Sequence, residues 1–204
     1  MSLPNRFNPR ALAALASLGT AALVLAETPA QAHGFAHGGL TSGFLHPITG
    51  PDHLLLLIVV GAAASYLSAQ LLLWALAGAL LGGIFGALGG SLPYGEALAA
   101  FAISAVAVVI LRSHSSGAKP NLGLAGTVIA TAVAVHAMLH GHESPTDGTA
   151  LSWWLGAFSG SVLVSGSSFL VLRRLPLHWT AKLAVLLALV GGVVALGPLG
   201  LLVR

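Results

Sequence analysis

No cysteine occurs anywhere in the 204 residues, which excludes disulfides, thiolate metal sites and a thiol nucleophile together. Charge is almost as scarce, with Asp, Glu, Lys and Arg at 6% of the chain against roughly a quarter in a typical soluble domain. The eight Lys and Arg residues stand singly or in one pair, so the pI near 10 comes without the basic patch that grips nucleic acid. A GxxxxGKS or GxxxxGKT loop is missing, which argues against ATP coupling within the chain. So is any series of membrane-embedded carboxylates for proton coupling.

What the chain has instead is apolar length: 56% hydrophobic residues and a mean hydropathy of +0.94 mark a membrane protein. The first residues read as a cleavable signal peptide over 1–32, with basic Arg6 and Arg10, an apolar run from Ala11 to Ala26 and the small-residue pattern Ala30-Gln31-Ala32. Six apolar segments follow, at Pro51 to Ser68, Leu71 to Gly90, Gly95 to Arg112, Asn121 to His140, Ala150 to Leu172 and Ala181 to Val203. Each is about the length a bilayer requires. They show no two-residue alternation, so the expected fold is all-α: a polytopic bundle of six transmembrane helices forming one domain over residues 33–204.

Arg112, Lys119, Arg173, Arg174 and Lys182 fall in or beside the third-to-fourth and fifth-to-sixth connections, which the positive-inside rule assigns to the cytoplasm. An even number of spans then leaves both mature termini on the outer side of the membrane. Signal cleavage requires the same arrangement. Trp153 and Trp154 at the outer end of the fifth span, and Trp179 at the inner end of the sixth, read as interfacial anchors. The four-residue repeat Gly78, Gly82, Gly86, Gly90 reads as a helix-packing stripe, and Ser161, Ser165 and Ser168 as interhelical hydrogen bonding.

Two groups of chemistry-bearing side chains stand at the ends of apolar segments. In His46-Pro47-Ile48-Thr49-Gly50-Pro51-Asp52-His53 the prolines and glycine disfavour one regular helix. Pro51 suits a first helical turn. Asp52 and His53 are therefore expected in the first turn of the first span, where the helix dipole favours a carboxylate, and His46 on an irregular stretch folding back over them. The second group is His136, His140 and Glu143. At 3.6 residues per turn these three share one helix face if the helix continues past Gly141, whereas His142 points away. Both groups fall on the outer side of the membrane.

Imidazole and carboxylate donors without thiolate suit Ni, Co or Zn and disfavour a Cu(I) path; Met138 is the one methionine inside a span. Ionisable groups at membrane depth are costly and mark an ion pathway by default. His33 and His37 fall on an outer arm, His114 and His178 in inner loops, and Glu96 in the first turn of the third span.

The first group, HPITGPDH followed by a long apolar run and Gly61, resembles the HPxxGxDH motif of the HupE/UreJ nickel and cobalt permeases. The stretch from His136 to Glu143, HAMLHGHE, resembles their fourth-span histidine motif ending HGxE. The resemblance spans the signal peptide, the six segments and both motifs. It implies Ni²⁺ uptake, and by extension Co²⁺, from periplasm to cytoplasm in support of hydrogenase or urease maturation. It also implies a transporter rather than an enzyme, with the ion as transported substrate rather than a tightly bound cofactor. The functional positions it implies are His46, Asp52, His53, His136, His140 and Glu143. Two positions depart from the pattern: Leu56-Leu57 stand where relatives often carry Ala-Met, and Ala137 where a glycine is common. The rival chemistry is an intramembrane zinc hydrolase, whose metal-bound water attacks a lipid. It needs an open coordination position with a serine or carboxylate beside it.

Overall fold

The computed structural model describes residues 39–116 and 120–201. The expected signal peptide, and with it His33 and His37, lies outside the described residues. Seven α-helices and no strand occur among those described: α1 (Gly39–Thr49), α2 (Pro51–Tyr66), α3 (Leu71–Ala87), α4 (Gly95–Ser116), α5 (Leu122–Glu143), α6 (Ala150–Leu172) and α7 (Leu177–Leu196). Each of the six apolar segments is thus largely helical over its described residues. Four of the helices, α4 to α7, are each long and apolar enough to cross a bilayer. A fifth crossing exists if α1 and α2, bent by 74° at their junction, count as one span. The α3 helix, at 17 residues, is shorter than the roughly 20 residues a perpendicular crossing takes.

Boundaries shift where a cap decides them. Pro176 at φ −57° precedes the first turn of α7, so the helix starts at Leu177 rather than Ala181. That brings His178 and Trp179 out of the expected loop and into the helix, with the Lys182 Nζ 4.7 Å from the centre of the Trp179 ring. His114 likewise belongs to the last turn of α4, where its Nδ1 is 2.7 Å from the Tyr66 hydroxyl at the end of α2.

The middle of the bundle is α2, whose Val59, Val60, Ala62, Ala63 and Ala64 are buried together with Ile103, Val106 and Ile110 of α4, Ile129 and Val133 of α5 and Leu187 of α7. Around it, helices meet at glycines. A Cβ on Gly78, Gly82 or Gly86 of α3 would overlap the backbone of Ala130, Ala134 or Met138 of α5. Successive turns of the two helices therefore touch main chain to main chain, as small-residue stripes permit. The fourth glycine of the repeat, Gly90, lies beyond α3 against the Phe85 ring and takes no part. A second close seam joins α1 to α6, where Gly43 abuts the Trp153 carbonyl, Gly156 the Leu40 carbonyl and Gly160 the Phe44 carbonyl. Ser165 donates within its own helix, to the Ser161 carbonyl at 2.8 Å, so that bond is not the interhelical one expected.

Candidate metal site at the α1–α2 bend

Contrary to expectation, His46 does not lie on irregular backbone: it is in the last turn of α1, and Pro47 is accommodated inside that helix. Pro47 removes the one donor that would reach the Gly43 carbonyl, and the last turn of α1 closes all the same. Thr49 Oγ1 donates to the Leu45 carbonyl at 3.1 Å and the Gly50 N–H to the His46 carbonyl at 3.2 Å. Gly50 then takes an extended conformation (φ −78°, ψ 115°) and Pro51 opens α2, which makes the 74° bend. A Cβ at Gly50 would stand 2.7 Å from the His53 Nδ1. The missing side chain leaves room for that imidazole. Asp52 and His53 occupy the first turn of α2 as the sequence indicates.

The α5 helix runs unbroken through Gly141 to Glu143, because Gly141 packs against the backbone of Gly86 and Ala87 and Ser144 caps the end through the His140 carbonyl. His136, His140 and Glu143 therefore share a face. Opposite them stand the α1–α2 side chains. His46 Nε2 is 2.9 Å from His140 Nδ1, and the Glu143 Oε2 lies 3.7 Å from each of those nitrogens. Asp52 Oδ1 is 2.7 Å from His53 Nδ1, while its Oδ2 is 3.8 Å from His136 Nε2. The His53 ring centre is 4.3 Å from those of both His136 and His140. All six residues that the sequence singles out come together, although the two groups lie some eighty positions apart in the chain.

Within this cluster the ligand-type atoms of His46, His53 and His140 lie within 4.8 Å of one another, and so do those of Asp52, His53 and His136. The imidazoles are mostly enclosed and the two acids about one-third exposed. Three ring nitrogens, His53 Nε2 and both nitrogens of His136, are buried with no hydrogen-bond partner. Each such orphan costs about 1–3 kcal/mol. Neutral imidazole and carboxylate in this density are the donor set of a borderline divalent ion.

Sequence reasoning missed one residue of the site. Trp153, expected as an interfacial anchor, is 2% exposed. Its ring lies 5.3 Å from that of His46 and 6.4 Å from that of His140, with Trp154 behind it at 5.3 Å. It walls the cluster on the α6 side. The signal available was the Trp153-Trp154 pair followed by Gly156 and Gly160, a small-residue face that marks where another helix docks. Glu96 and His142 stay apart from the cluster, in a shallow groove shared with Tyr94, Leu139 and Pro198. There His142 Nε2 is 2.7 Å from the Gly90 carbonyl.

The chain is 27% identical over 192 residues, 90% of its length and 96% of the relative's, to Protein HupE of Rhizobium leguminosarum bv. viciae. No solved structure matches it. The profile of the HupE / UreJ proteins, which are metal transporters and not enzymes, matches residues 21–201. With nearly the whole length covered and both histidine groups converging at one bend, the chain belongs to the HupE / UreJ family.

Proposed function

We propose that the protein is an uptake permease for Ni²⁺, with Co²⁺ as a second substrate, moving the ion from periplasm to cytoplasm through the His46, Asp52, His53, His136, His140 and Glu143 cluster. The observation that carries this reading is the set of orphaned, buried nitrogens on His53 and His136. A structural histidine core would pair them, since buried polar groups are ordinarily satisfied. A site that loads and releases a cation leaves them available.

The reading includes six crossings of the bacterial inner membrane, a signal peptide over residues 1–32, and mature termini in the periplasm. The basic residues at the Tyr66, Arg173 and Leu177 end of the bundle support this orientation, since the histidine cluster then opens at the opposite, outer face. Below it the interior is apolar, with Leu56, Val59, Val60 and Ile129 packed between the site and the far side. Passage requires those helices to part. Downhill or partner-assisted movement fits a chain with neither a nucleotide loop nor a carboxylate relay, and delivery to hydrogenase or urease maturation fits the ion.

The test is uptake of radiolabelled Ni²⁺ and Co²⁺ into vesicles containing the purified chain. Influx above that of empty vesicles, abolished by His53→Ala, is expected. Equal influx in the two kinds of vesicle, or a fully active His53→Ala variant, overturns the proposal.

A further inference from the structure

We propose that the cluster is not one site but two overlapping ones, stacked along α5 and sharing His53, so that a single divalent ion is handed from the His46–His53–His140 triad to the Asp52–His53–His136 triad. This rests on the transport reading above, and it adds the order of events within it. His140 and His136 are four residues apart on one face of α5, which separates their levels by about 6 Å along the axis. Glu143 and His46 gather at the level of His140, with their atoms 3.7 Å apart. Asp52 Oδ2 instead reaches His136, at 3.8 Å. Neither triad contains a residue that lies midway except His53, whose ring stands 4.3 Å from each of the two α5 imidazoles.

The sharing has a chemical consequence. A neutral imidazole has one nitrogen bearing a proton and one bearing a lone pair, so His53 can complete only one triad at a time. The two positions are therefore alternatives, and two ions cannot sit in file. Movement between them costs little because one ligand is kept while two are exchanged. The triad at the His140 level includes the Glu143 carboxylate, one-third exposed, as a neighbour and receives the ion. The other ends at His136, whose two nitrogens are both buried and make no hydrogen bond, and it passes the ion on towards the Leu122 end of α5.

Equilibrium binding of Ni²⁺ to the full chain in detergent, together with flux in vesicles, tests this. Wild type is expected to bind one ion per chain and His53→Ala none. His46→Ala and His136→Ala should each still bind one ion, at an affinity lowered by about 10-fold, because each leaves one triad intact, yet both should lose most of their uptake. Wild-type binding of two ions at once overturns the proposal. So does loss of all binding in His136→Ala with a wild-type elution profile and melting temperature, which means a single merged site. If that variant misfolds, His136→Gln is judged by the same criterion. Should the wild type bind one ion but move none, the transport reading fails while the stoichiometries still decide between one position and two.

Discussion

Gly43 of α1 lies so close to the Trp153 carbonyl of α6 that a methyl group on it would overlap that peptide. The contact is what holds α1 at the depth where His46 meets His140 at 2.9 Å. Gly43→Ala must push the two helices apart, and overpacking of this kind costs about 1–3 kcal/mol. We expect the variant to insert and fold with a lowered melting temperature and with metal affinity reduced, because His46 moves with its helix. Unchanged affinity in a Gly43→Ala chain means that α1 does not set the site.

Asp52 offers a sharper separation of roles. As a mere first-turn acid of α2, behind a Gly50 N-cap, it would be replaceable by asparagine at a cost of only about 0.3–1 kcal/mol of dipole interaction. As an orienting and charge-bearing partner of His53 at 2.7 Å it would not, since a carboxylate behind a metal-binding imidazole fixes its orientation and raises its basicity. Asp52→Asn is expected to melt like the wild type while its Ni²⁺ affinity falls by about 10- to 100-fold. Isothermal titration of both proteins checks this, and equal affinities reduce Asp52 to a first-turn acid.

The same distinction between spacing and space applies to the glycines. Gly82 of α3 has the Ala134 backbone in the way of any Cβ, whereas Gly166 of α6 has nothing within 4 Å. Alanine at Gly166 should be neutral or stabilising by about 0.4–1 kcal/mol, through reduced freedom of the unfolded chain. Alanine at Gly82 should destabilise, and because α3 buttresses the helix carrying His136 it should weaken metal binding as well. Thermal melting in detergent with and without Ni²⁺ reads both effects.

Much of the site could be read from the sequence because it depends on short-range rules. Four-residue spacing fixes the shared face of His136 and His140, and a proline at the first helical position fixes the start of α2. What could not be read depends on partners distant in the chain. Pro47 argues locally against a helix, yet α1 forms because Gly43, Gly156 and Gly160 let it lie flat on α6 and because Thr49 and Gly50 supply its terminal hydrogen bonds. Trp153 reads as an interfacial anchor by its position near a helix end. Its burial is decided by α1, whose docking covers it, and by Trp154, which fills the space over Gly83.

That burial makes Trp153 a reporter as well as a wall. Of the four tryptophans, Trp153 alone among those described has its ring within 6.4 Å of the His46 and His140 rings. A paramagnetic ion such as Ni²⁺ or Co²⁺ held by those imidazoles quenches an indole at this range, while Trp74 and Trp179 are about half-exposed on surfaces remote from the cluster. In a chain carrying Trp74→Phe, Trp154→Phe and Trp179→Phe, emission should fall in proportion to bound Ni²⁺ and return on adding EDTA. In the Trp153→Phe chain the remaining emission should barely respond. Trp153→Ala is expected to do more than remove the signal: deleting an indole this enclosed costs about 3–5 kcal/mol and leaves a void beside His46, so that metal affinity and thermal stability fall together. Quenching of equal depth with and without Trp153 would mean that the ion binds elsewhere, whatever the arrangement of imidazoles at the bend.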